Sequence, residues 1–225
     1  MSNPEKMVNL FITHFDYTTS AKNLDNKRLG KQRVEALQIL NLIQDLKFLS
    51  QRYNKPRPIN PYDFRAWVRT LASLYKKEPI RLYRGDHCIT LGFVYHPAIL
   101  MFLGYEDSLK RYINAHIQEW ISRGFENTMQ TYKTYKEDQP IFTLDPTFHR
   151  NHKAALLTKE IERNEPKWYI KKKDFVEAYE YYQNYTGKAN KTQSEFKYYI
   201  WPFNQKDECY VVKEIDGKLC IGFKN

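Results

Sequence analysis

Between Asp25 and Leu46 the apolar residues Ala36, Ile39, Leu40, Ile43 and Leu46 recur at intervals of three and four, the spacing that gives an α-helix one buried side. With Asn23 or Asp25 as N-cap, this predicts a helix over about 25–48. Arg28, Lys31, Gln32 and Glu35 fall at i, i+3, i+4 and i+7, so they line one polar stripe in its first half. Further helices are expected at 64–77 (Phe64, Trp67, Val68, Leu71 and Leu74 inward), after Pro97, and at 106–123. In the last, Leu109, Tyr112, Ile113, His116, Ile117, Trp120 and Ile121 share a face and Gly124 supplies the stop. HRNHKAALLTKEIERNEP reads as another helix, with Ala155, Leu156 and Ile161 inward, and a last one ends near Gly187.

The remaining segments read differently. RYNKPRPINP holds three prolines in ten residues and is a connector. Residues 80–95 fit a strand or a buried loop, and Val8 to Phe15 fits a short strand or an apolar clip. At the end, ECYVVKEIDGKLCIGF alternates around Asp216-Gly217, a hairpin signal. The expected fold is mainly α, a helical body with a small C-terminal β-hairpin.

Charge sets the class of partner. Against 26 Asp and Glu the chain carries 36 Lys and Arg, a net +10, and 16% of its residues are aromatic. A polyanion is the natural ligand for such a surface. Cys88, Cys209 and Cys220 match neither a zinc ribbon nor a CxxC site, so neither a disulfide framework nor a metal is expected. No run reaches the roughly 18 apolar residues of a membrane span, and no secretory leader is evident. An intracellular protein without a membrane partner or cofactor is expected.

Several segments, in order, resemble the pyrimidine-dimer DNA glycosylases of the phage repair endonuclease type, in particular a bacterial branch of that superfamily. They are FITHFDYTTSAKNLDNKRLGKQRVEALQIL (11–40), LGFVYHPAILMFLGYEDSLKRYINAHIQEWISRGF (91–125), PTFHRNHKAALLTKEIERNEPKWY (146–169) and YIWPF (199–203). The resemblance implies a helical glycosylase-like body over 1–203, with an insertion at about 49–90 and a hairpin appendage over 204–225. It also implies an enzyme that flips a nucleotide, attacks the sugar C1′ with the α-amine of a processed N-terminus, and uses a first-helix glutamate. The product is a base excised and a strand cut by β-elimination.

Such chemistry needs an unprotonated amine. A terminal amine with pKa about 7.8 is about a tenth neutral at pH 7, whereas Lys near 10.4 is below about 0.1% neutral. A carboxylate nearby steadies the positive sugar and then moves protons. The family's usual start falls near Met7 or Val8, so processing at Met7 exposes Val8 and processing at Met1 exposes Ser2. The family's Arg-Glu pair overlays Lys31-Gln32, and Gln32 cannot do acid-base work; Glu35, one turn on, is the substitute carboxylate. Its alternative is an i, i+4 ion pair with Lys31.

For nucleic-acid contact the expected residues are Arg28, Lys31 and Arg33 on phosphates, and Asn23, which alternatively caps the helix. His149, Arg150, His152 and Lys153 form a basic cluster suited to phosphates or base edges. His149 and His152 have i, i+3 ligand spacing but no convincing third ligand. His96 matches a family position, with a substrate contact and a structural hydrogen bond both open; His116 reads as a core histidine. Lys159 and Arg163 lie close to the family's phosphate-binding positions, and Trp168-Tyr169 after Pro166 resembles its Pro-x-Trp-Tyr, whose rings stack on a distorted base step. The partner the resemblance implies is damaged or modified double-stranded DNA. A catalytically silent relative that binds distorted DNA, or RNA, is the alternative, because fold alone does not fix function.

Overall fold

The computed structural model describes residues 10–60, 63–144, 146, 148, 149, 152, 153 and 156, and the backbone of two strands, 210–215 and 218–223. The protein is mainly helical with a small C-terminal hairpin. The helices expected beyond residue 156, and the side chains of Val8, Arg150, Ala155, Lys159, Ile161, Arg163, Trp168 and Tyr169, lie outside the described residues.

Residues 10–13 form an apolar clip, with Leu10, Phe11 and Ile12 buried and in no sheet. Helix α1 (Tyr17–Lys22) follows, and the sequence reading has no element there. Six residues are too short for an apolar period, and Asp16 secures the first turn by accepting from the Thr18 and Thr19 N–H groups at 3.3 and 2.9 Å. Helix α2 (Asn26–Arg52) starts at Asp25, which accepts the Arg28 N–H at 2.8 Å; Asn23 instead sits at the C-cap of α1. The helix outruns its expected end because Asn54, at φ 48°, is the left-handed stop. There the Lys55 N–H reaches the Ser50 carbonyl (2.9 Å) and the Asn54 N–H that of Gln51 (3.2 Å), a Schellman closure.

Helix α3 (Phe64–Tyr75) buries Phe64, Trp67, Val68, Leu71 and Ala72. Within 80–95 the chain makes a short antiparallel pair, β1 (Tyr83–Arg84) and β2 (His87–Cys88), turned at Gly85 with φ +61°. Asp45, in the interior of α2, holds this pair: Arg84 Nε donates to Oδ1 at 3.1 Å and His87 Nε2 lies 3.0 Å from Oδ2. Helix α4 (Pro97–Phe102) begins with Pro at its first position, and His96 Nδ1 accepts the Ala98 N–H at 3.2 Å.

Helix α5 (Glu106–Ser122) ends before Gly124 at φ +83°, as the sequence indicates, although Ile121, expected inward, is exposed. Residues 132–138 are strapped to α5 without forming an element of their own. Asn114 bonds both the N–H and the carbonyl of Tyr132, Asp107 accepts from Tyr135 and Lys136, and Arg111 donates to the carbonyls of Lys136, Glu137 and Asp138. A 3₁₀ turn spans Ile141–Leu144. At the C-terminus β3 (Tyr210–Ile215) pairs antiparallel with β4 (Lys218–Phe223) in the register Ile215↔Lys218, which puts Asp216-Gly217 between them.

The main core joins α2, α3, α4 and α5 through residues such as Ile39, Ile43, Leu71, Phe102 and Ile113. A smaller cluster of Phe11, Ala21, Leu24, Leu29 and Leu156 lies against Trp120. At Gly30 a Cβ would stand 3.0 Å from the Trp120 ring. That ring is held on both sides, by Arg33 over it at 4.1 Å and by Phe125 stacked at 4.2 Å, and its Nε1 donates to the Glu126 carbonyl at 2.8 Å. Gly30→Ala should therefore lower stability by about 1 kcal/mol in urea unfolding, overpacking outweighing the helix-propensity gain; a stabilised variant would contradict this contact.

Candidate functional site

A buried stretch of chain that joins no sheet must find other partners for its N–H and carbonyl groups. For residues 11–13 those partners are side chains. The Phe11 N–H donates to Gln32 Oε1 at 2.7 Å, the Ile12 N–H to His152 Nδ1 at 3.0 Å, and the Thr13 N–H to Ser20 Oγ at 3.0 Å. The Phe11 carbonyl accepts from Tyr112 Oη at 3.0 Å and Ser20 Oγ at 3.3 Å. His149 Nδ1 lies 2.9 Å from the Ile12 carbonyl oxygen.

Gln32 is the hub. Its Oε1 also lies 2.8 Å from Tyr112 Oη, whose one proton is shared between this oxygen and the Phe11 carbonyl, and its Nε2 donates to Glu35 Oε2 at 3.0 Å. Because the Phe11 N–H can only donate and the Glu35 carboxylate only accept, the amide orientation is fixed by its neighbours. Gln32 is 1% exposed and Glu35 6%. Lys31 Nζ, on a side chain 65% exposed, reaches Glu35 Oε1 at 3.1 Å. The polar stripe read from the sequence is thus turned partly inward: its Gln and Glu face the clip, and Lys31 closes the carboxylate from the solvent side.

The two histidines grip one residue, Ile12, from one helical turn. His152 accepts at Nδ1, so its proton sits on Nε2, and burial depresses its pKa well below the imidazole range, with His149 adding to the effect. His149 is lowered chiefly by burial too, against the raising effect of its carbonyl contacts at Ile12 and Thr143 (2.7 Å). Phosphate or base-edge contact, expected of this pair, asks for exposed donors; the structure instead buries both rings in the grip on the clip. Among the described residues no group of three or more His, Cys, Asp or Glu is arranged to hold a metal ion.

Other expected contacts are also placed. Arg28 is paired with Asp25, and Lys153 is half-buried. Arg33 is 8% exposed, its Nη1 donating to Asn127 Oδ1 at 2.9 Å while its guanidinium covers Trp120; it braces the junction of α2 and α5 instead of facing phosphates. Asn23 donates to Thr13 Oγ1 at 3.1 Å and steadies the clip. His96 serves as the cap of α4, and burial lowers its pKa to about 4.

The sequence reading treats Tyr112 as core alone and passes over Tyr17, Ser20 and Arg123. Tyr112 carries the network on its hydroxyl, and burial pushes its pKa well above the usual 10. Tyr17 packs edge-on against it and bonds Ser108 Oγ at 2.7 Å; burial raises its pKa to about 12. Arg123 gathers the carbonyl of Leu24 at 2.7 Å, those of Ala21 and Lys22, and Asn26 Oδ1, binding the α1–α2 turn to the end of α5. A polar tip on an otherwise apolar stripe was the available signal for Tyr112.

The sequence model of one family, described as pyrimidine dimer DNA glycosylase, matches residues 8–133, which includes the clip, α1 to α5 and residues 49–90. The chain belongs to the pyrimidine dimer DNA glycosylase family. No curated protein and no solved structure matches it. The family is one of DNA repair, so DNA is the substrate class it implies. Among the described residues of this glycosylase-family chain, no helix is long and apolar enough to cross a membrane.

Burial of neutral imidazoles gives this family member an acid-sensitive fold. His96 (about 4), His116 (about 3), His149 and His152 all titrate lower folded than unfolded. Unfolding therefore takes up protons below the unfolded value of about 6.5. The histidine contribution to stability should be complete above pH 7 and fall from about 6.5 towards 4, by about 1.4 kcal/mol per pH unit for each group still neutral when folded. His96→Asn keeps a cap for α4 and should make this slope shallower by about 1.4 kcal/mol per unit between pH 6 and 5, as read by urea unfolding at a series of pH values.

Proposed function

We propose that this chain is a DNA glycosylase with AP-lyase activity, acting on a damaged or modified base swung out of a duplex and using Glu35 as its carboxylate. One observation carries the reading: Gln32 bridges the Phe11 backbone and the Glu35 carboxylate, at 2.7 and 3.0 Å. The carboxylate is thereby fixed two hydrogen bonds from the chain that leads to the N-terminus. Val8 lies three residues before Phe11, a reach of at most about 11 Å, so a Val8 amine freed by processing at Met7 is within range of a sugar held at Glu35. An amine at Ser2 is the other candidate.

In this reading the neutral amine attacks C1′ and the glycosidic bond breaks, the base leaving with a proton; the C1′–O4′ bond then opens, O4′ taking a proton from the amine nitrogen, and an imine joins protein and sugar. The imine acidifies the C2′ proton; its removal expels the 3′ phosphate by β-elimination. Glu35 first steadies the cationic sugar and then relays protons. Gln32 positions this carboxylate and has no proton to give. Exposed Lys31, turned from Glu35, meets a phosphate near the reacting sugar, and Arg28, Arg150, Lys153, Lys159 and Arg163 extend the contact. Trp168 and Tyr169 stack on the distorted step. The body spans 1–203, with 49–90 an elaboration of it and 204–225 an appendage.

Borohydride trapping on duplex DNA containing an abasic site tests the chemistry. A covalent adduct should form and map to the N-terminal peptide by mass spectrometry, which also decides between Val8 and Ser2. Glu35→Gln keeps the shape and the Gln32 contact, and should cut turnover by about 10² or more with DNA binding retained. Salt-sensitive binding to distorted DNA with no adduct would instead assign the chain as a silent relative.

A further inference from the structure

Charge is unevenly distributed along the chain. Residues 49–90 hold nine Lys and Arg against three Asp and Glu, a surplus of six within a chain whose total surplus is ten. Every one of these charged residues is described. Of the acids, Glu78 is taken by Arg52 Nε (3.0 Å) and Tyr53 Oη (2.8 Å), and Asp63 precedes α3 without making a side-chain cap. Arg84 is bound inward to Asp45. Arg65, Arg69, Lys76, Lys77 and Arg81 have no acidic partner among the described residues, and the shielded Arg65 Nε has no partner there at all.

On α3 these cations form a pattern. At 100° per residue, Arg65, Arg69 and Lys76 fall within about 40° of one another, along a flank of the exposed side and over about 16 Å of axis. Helix energetics alone would not put them there. Lys76 and Lys77 suit the negative end of the helix dipole, but Arg65 is the second residue of α3, where a cation is disfavoured by about 0.3–1 kcal/mol, and no acid accompanies it in the first turn. An unfavourable charge that no acid among the described residues offsets is one aimed outward. About 16 Å corresponds to roughly five base-pair steps of a duplex, a row of phosphates long enough to meet all three.

We infer that residues 49–90 carry a second, lesion-independent contact surface for the DNA backbone, made by Arg65, Arg69, Lys76, Lys77 and Arg81. The inference rests on the proposed function only for DNA as the partner. The surface is rigid before DNA arrives: Arg52 and Tyr53 hold Glu78, Asp45 holds Arg84 and His87, Trp67 Nε1 donates to the Lys55 carbonyl at 2.8 Å, and Tyr75 Oη donates to that of Ile89 at 2.8 Å. Binding therefore orders only the ends of long side chains.

The test uses the full chain and an undamaged 30-base-pair DNA duplex, so it reads nothing from base excision and stands even if no imine forms. Fluorescence anisotropy across a salt series gives the slope of log K against log salt. Arg69→Ala with Lys76→Ala should reduce that slope by about two, at about 0.9 per phosphate contact, and weaken binding at least tenfold at physiological salt. The control is Lys133→Ala with Lys136→Ala, two exposed lysines on the strap along α5. A control change less than half as large supports the surface. An equal change in both pairs would mean a response to net charge alone and overturn it, as would an unchanged slope. Tighter binding of the same sequence as duplex RNA, lost in the same variant, would overturn the assignment to DNA.

Discussion

The structure depends on a debt incurred at Phe11 and Ile12. These residues enter the interior without a neighbouring strand, so each buried N–H and carbonyl must be met or left at a cost of about 1–3 kcal/mol apiece. The solution draws on every packed element near them: Gln32 of α2, Tyr112 of α5, Ser20 of α1, and His149 and His152 from the helical turn beyond the 3₁₀ segment. One network thus fixes the entering chain, the Glu35 carboxylate of α2 and the following histidines relative to one another. Removing Gln32 would strip the Phe11 N–H and the Glu35 carboxylate of a partner at once, so the candidate site and the core share their supports.

That coupling explains an otherwise odd substitution. A glutamine at position 32 reads in the sequence as the loss of a catalytic acid. In the structure it is the residue with both a donor and an acceptor, and the position requires both: an acceptor for Phe11 and Tyr112 and a donor for Glu35. A carboxylate at 32 would stand against Glu35 in a dry environment, where two like charges are strongly disfavoured.

Period and punctuation made most of the fold legible. Ile39, Ile43 and Leu46 mark α2, Pro97 opens α4, Gly124 closes α5, and Asp216-Gly217 marks the terminal hairpin. Helix α1 escaped because an Asp-capped turn of Thr, Ser and Ala carries no apolar rhythm, and the end of α2 slipped because Asn54 is a less obvious left-handed stop than Gly. Charge was a poorer guide to exposure. Arg33 and His152 look like ligand contacts in a linear sequence; the interior claims them because Trp120 offers an aromatic face and Ile12 offers an amide. Side-chain to backbone bonds 140 residues apart in sequence leave no periodic trace.

Asp45 acts as a joint. Ten residues beyond Glu35 on the same rod, it fastens the β1–β2 pair, while Arg52 and Tyr53 at the rod's far end fasten Glu78. Both moorings sit on one spar and α3 packs into the core beside it, so the cations of residues 49–90 hold a fixed bearing to Glu35.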